Sequence, residues 1–119
     1  MATLLSQLGT LIKNRLASSE SPVAAASPSL EMSSNHKVIP VDASLNAVDF
    51  QVADGEIKAG YRSILIVKSG TNNVSITRSG TTTTINGGTT ESFSTPTAHT
   101  HIFVTCMEDD VISVASAAP

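Results

Sequence analysis

Lys68–Phe93 reads KSGTNNVSITRSGTTTTINGGTTESF, and its alternation decides the fold. Val74 and Ile76 take one side of a period-two pattern and Ser75 and Thr77 the other, as in a half-buried β-strand. Ser69–Asn73, Ser79-Gly80 and Asn86-Gly87-Gly88 interrupt it with residues that favour tight turns. The same texture continues outward in both directions. KVIPVD, NAVDFQV and SILIVKS precede the stretch, and HIFVTCM and DVISVASA follow it, with further turn signals at Asp54-Gly55 and Glu108-Asp109-Asp110. With NVSITRS, TTTTING and ESFST these make about eight short runs, and no helical period separates them. The pattern predicts a mainly β domain over residues 37–119, an antiparallel β-sandwich or jelly roll.

The other end of the chain follows a different period. In MATLLSQLGTLIKNRL, residues Leu4, Leu5, Leu8, Leu11, Ile12 and Leu16 recur at three- and four-residue steps, the stripe of an amphipathic helix over residues 1–18. Thr3 suits its N-cap, and Lys13 and Arg15 complement its C-terminal dipole. A helix this short needs a surface for its leucines. Leu4, Leu8, Leu11, Ile12 and Leu16 are therefore the candidate partner-binding residues. Between helix and strands lies ASSESPVAAASPSLEMSSN, Ala17 to Asn35, whose Ser, Ala and Pro content is that of a linker. Residues 19–36 are expected to form an extended arm.

Composition removes several function classes. Aromatics are 3% of the 119 residues and charged residues 14%, while Ser and Thr together make about a quarter. The net charge is −3, with no basic stripe to neutralise phosphates and almost no ring to stack on a base, so nucleic acid is not an expected partner. No apolar stretch is long enough to span a bilayer. Lys13 and Arg15 follow the N-terminal apolar run instead of preceding it, so the run does not read as a secretory signal. The lone Cys106 rules out an internal disulfide and a cysteine zinc site, and is read as core packing.

Candidate chemistry is sparse. No Gly-x-Ser-x-Gly elbow occurs, and the carboxylates Asp42, Asp49, Asp54, Glu56, Glu91 and Glu108–Asp110 form no pair tied to a cleft motif. Neither an enzyme nor a cofactor is expected. The Thr81–Thr84 run raises a glycan-binding module as an alternative, although no Trp or Tyr platform accompanies it. His99-Thr100-His101 would place two imidazoles on one strand face, and three copies around an axis would offer six to an octahedral metal. Two ordinary strand histidines are the plainer reading. Open sheet edges and a core thin in aromatics favour burial against copies of the chain, hence an expected homotrimer through the β domain.

MATLLSQLGTLIKNRL resembles the short N-terminal segments of tailed-phage virion proteins. AGYRSILIVKSGTNNVSITRSGTTTTINGGTTESFSTP, with HIFVTCMEDDVISVAS, is similar to the small Thr/Ser-rich β domains of phage head-decoration, head-fibre and fibre-adaptor proteins. His99 and His101 resemble the His-x-His iron sites of trimeric phage fibres and spikes. The resemblance implies a non-enzymatic virion protein, made in the host cytoplasm, that decorates and cements the head shell by binding the major capsid protein or another virion protein. It equally admits a tail-fibre or collar adaptor. On this reading the arm lies along neighbouring subunits.

Overall fold

The computed structural model describes residues 21–119, so the expected helix and its leucine stripe lie outside the described residues. Each of the eight β-patterned runs contains a strand: β1 (Val38–Asp42), β2 (Val48–Val52), β3 (Arg62–Ser69), β4 (Val74–Arg78), β5 (Thr84–Ile85), β6 (Thr90–Phe93), β7 (His101–Glu108) and β8 (Val111–Ala117). They form two sheets, one of five strands in the order β1-β3-β7-β8-β5 and one of three in the order β2-β4-β6. Alternation does the sorting: Ile39, Val41, Leu65, Val67, Ile102, Val104, Ile112 and Val114 point inward from the larger sheet, and Val48, Phe50, Val52, Val74 and Ile76 from the smaller. All belong to one buried cluster, which also takes Leu30, Ile57 and Tyr61. Fully burying each Val, Ile or Phe stabilises by about 1.5–3 kcal/mol against an exposed state.

The expected antiparallel pairing holds only in part. β3–β7, β7–β8 and β4–β6 are antiparallel, but β1–β3, β2–β4 and β5–β8 are parallel. The chain makes its first two circuits as a coil, laying one strand in each sheet before returning beside the previous one. Val38 lies opposite Ile64 and Val48 opposite Val74, so both ladders carry the same offset of 26 residues. The turn-rich loops after β1 and β3 are therefore corners between sheets and not hairpins. Coiling stops where β6 and β7 pair antiparallel with β4 and β3.

From Ser21 onward, the arm expected to lie over neighbouring subunits runs along its own domain. Val23 N–H donates to Pro40 O and Asp42 N–H donates to Val23 O, each at 2.9 Å. Farther on, Asp49 N–H donates to Ala26 O, Gln51 N–H to Pro28 O and Leu30 N–H to Gln51 O. Residues 23–30 thus close the β1 edge and then the β2 edge. The composition hid this because backbone groups bond whatever side chains they carry. Two apolar anchors suffice: Val23, packed against the core, and Leu30, 2% exposed within it. A short 3-10 turn, Met32–Ser34, follows, with Glu56 Oε1 accepting from Met32 N–H at 3.1 Å. Tyr61 then locks the segment from inside, its hydroxyl 2.6 Å from Ser34 Oγ and donating to Ser63 Oγ at 2.9 Å. One support for a trimer, the open edges, is accordingly reduced at β1 and β2.

Candidate functional site

The two sheets present chemically opposite outer faces. On the smaller sheet, Asp49, Ser75 and Ser92 form one outward row and Gln51, Thr77 and Thr90 the next. Their polar atoms are spent on one another. Asp49 Oδ1 accepts from Ser75 Oγ and Thr77 Oγ1 at 2.8 Å each, Asp49 Oδ2 accepts from Gln51 Nε2 at 2.7 Å, and Thr77 Oγ1 lies 2.7 Å from Thr90 Oγ1. Such a face is content in water.

The outer face of the larger sheet carries an apolar patch two rows deep, bordered by Arg62 and Lys68 of β3 and by Asp42 at the end of β1. Val38, Ile64, Phe103 and Ala115 lie opposite one another in one row across four strands, and Pro40, Ile66, His101 and Ala117 in the next. Neither row carries a carboxylate, a lysine or an arginine. Phe103 is 38% exposed and its ring centroid sits 6.2 Å from that of His101. Between Val38, Ile64 and Phe103 opens a groove of about 350 Å³, rimmed by His36, Lys37 and Arg62 and continued by Thr105. That volume takes one or two large apolar side chains. Soluble chains seldom leave a contiguous apolar patch uncovered, and such patches mark contact surfaces. This face is the candidate site. Val38, Ile64, Ile66 and Phe103 were not singled out by sequence reasoning, yet Ile64-Leu65-Ile66-Val67 held the signal: an unbroken apolar run belongs to a strand that wants cover on both faces.

The histidines do not form the expected pair. His99 lies in the turn before β7 with φ of 71°, its N–H bonded to Val67 O, while His101 opens the strand. His101 Nδ1 is 2.8 Å from His99 O, so the backbone between them turns instead of extending through one pleat. Among the described residues no group of three or more His, Cys, Asp or Glu side chains is placed to hold a metal ion.

The other singled-out residues serve the fold. Asp54 gathers the threonine run: its carboxylate accepts from the backbone N–H of Thr81 at 2.8 Å, Thr82 at 3.1 Å and Thr83 at 2.9 Å, and from Thr83 Oγ1 at 3.0 Å. The three N–H donors, Thr83 foremost, hold the Asp54 carboxyl well below the usual carboxylate range. Thr83 is wholly buried, so Thr81–Thr84 is not an open hydroxyl lattice. Asp109 and Asp110 also bond backbone, accepting from Ala59 N–H at 2.8 Å and Gly55 N–H at 2.9 Å. Cys106 is buried in β7, where burial pushes its thiol pKa up and Sγ–H donates to Glu108 O at 2.8 Å. Leu4, Leu8, Leu11, Ile12 and Leu16 lie outside the described residues.

No protein family, curated protein or solved structure matches the chain.

Proposed function

We propose that this chain is a non-enzymatic structural protein of a phage virion, a decoration or cement protein of the head shell that works by contact. The observation carrying a contact function is the apolar patch on four strands of the five-stranded sheet, Val38–Ile64–Phe103–Ala115 and Pro40–Ile66–His101–Ala117. The virion setting rests on the resemblance of MATLLSQLGTLIKNRL and of the Thr/Ser-rich strands to virion proteins. In this reading Leu4, Leu8, Leu11, Ile12 and Leu16 engage the major capsid protein or another virion protein, and the β domain spreads over the shell between capsomers.

Particle incorporation is the test. Chain carrying Leu8→Asp and Leu11→Asp should fail to co-sediment with purified capsids, while wild type co-sediments at high copy number. Full occupancy by the double variant would reject the anchoring role. A few copies at one vertex would place the protein in the tail or collar instead of the head.

A further inference from the structure

We infer that the leucine stripe of residues 4–16 docks on the outer face of the five-stranded sheet of its own chain. The inference shares the stripe and the face with the virion reading but is tested apart from it. If both hold, attachment to a particle is an exchange in which the stripe leaves the sheet for the shell.

The patch offers an apolar contact of the size that is often functional, and that size selects the occupant. Four strands spaced about 4.8 Å apart, with about five residues of rise near 3.3 Å, give roughly 300 Å² in plan. A stable interface between two copies needs about 800 Å² from each partner, so this face is small for a dimer. One side of a helix fits it. The thirteen residues Leu4–Leu16 would span about 20 Å as a helix, and their stripe is as free of charge as the two rows beneath. The groove beside Phe103 accepts a leucine from that stripe.

Tethering selects the same segment. The chain preceding Ser21 departs from the margin of this face, because Val23 is bonded to Pro40, a member of its second row. Residues 17–20 reach up to ~13 Å when extended, enough to carry the end of the stripe past β1 onto β3, two strand spacings away, from where the stripe's own length reaches Phe103. A tether this short holds its end at a millimolar effective concentration. Second copies and soluble partners then compete at a disadvantage.

A photo-crosslinker in the full-length chain tests this. With p-benzoylphenylalanine in place of Phe103, irradiation should give monomeric adducts that map by mass spectrometry to residues 4–16. Leu8→Asp with Leu11→Asp in the same chain should cut their yield at least tenfold while the β circular-dichroism signal persists. The same probe in place of Thr105, which lines the groove and is exposed, repeats the test should Phe103 not tolerate it. Adducts to the β domain of a second copy, adducts to residues 4–16 found only in a dimer band, or no peptide adduct at all would each overturn the inference. None of these outcomes depends on capsid binding, which co-sedimentation reads separately.

Discussion

Leu30→Ala asks whether residues 21–35 belong to the domain or to its neighbours. Leu30 is 2% exposed inside the common core, and its N–H is bonded to Gln51 O. Truncation to alanine leaves that backbone bond possible but removes the anchor holding the segment against β2. Leu-to-Ala changes at buried sites cost about 2–5 kcal/mol, the spread reflecting how far the cavity collapses. This site is bounded by β-sheet on one side and has the 3-10 turn Met32–Ser34 directly after it, so about 3 kcal/mol is expected. At a urea m-value of about 1–3 kcal/mol/M, the unfolding midpoint falls by roughly 1–3 M. Leu45→Ala is the control, since Leu45 is 88% exposed and should stay within about 0.5 kcal/mol of wild type. Equilibrium urea unfolding of the isolated full-length protein, followed by circular dichroism, measures both. If Leu30→Ala matches Leu45→Ala, the segment is not part of the folded unit and an arm over neighbouring subunits regains its standing.

Two further outcomes follow from close approaches and charge. Gly70→Ala should lower stability by at least about 2 kcal/mol, because an added Cβ would collide with the Pro96 carbonyl. Gly88→Ala should be nearly neutral in a thermal melt, as its Cβ meets only Ile85 O at 3.7 Å. Asp54, with its folded pKa depressed by the Thr81–Thr83 donors, contributes stability that is present above the unfolded carboxylate pKa and lost as pH falls through the lower folded value. The stability difference between wild type and Asp54→Asn should therefore be constant above about pH 5 and shrink below about pH 4. In carbon-detected NMR the Asp54 carboxyl should keep its ionised shift down to about pH 3, and a midpoint near the ordinary value of about 4 would contradict the bonding described.

Much of the strand pattern was legible because one face of each strand is buried, which writes the period directly into the residues. Val74 and Ile76 inside, with Ser75 and Thr77 outside, is the plainest case. Pairing direction was not legible. A turn signal such as Ser69–Asn73 says that the chain bends, not whether it bends back into the same sheet or across to the other. The missing clue was a comparison at distance: VIPVDASLNAVDFQV from Val38 and ILIVKSGTNNVSITR from Ile64 align position by position, with Asn46 over Asn72 and Val48 over Val74. Repetition of that kind signals stacked coils. Residues 21–35 read as linker for another reason, since a segment that caps edges through isolated bridges needs backbone groups and a few anchors, not an alternating pattern. The apolar outer face was half legible in Ile64–Val67, but Phe103, Ala115 and Pro40 join it only through register, which no single run discloses.

The shared offset of 26 residues makes the coil modular. Because one circuit advances both sheets by a single strand, its length along the stack is one strand spacing, about 4.8 Å. Inserting a tandem copy of the circuit Val38–Ser63 would therefore add one rung to each ladder together, with inward residues still inward. Widening only one sheet would set the two out of step.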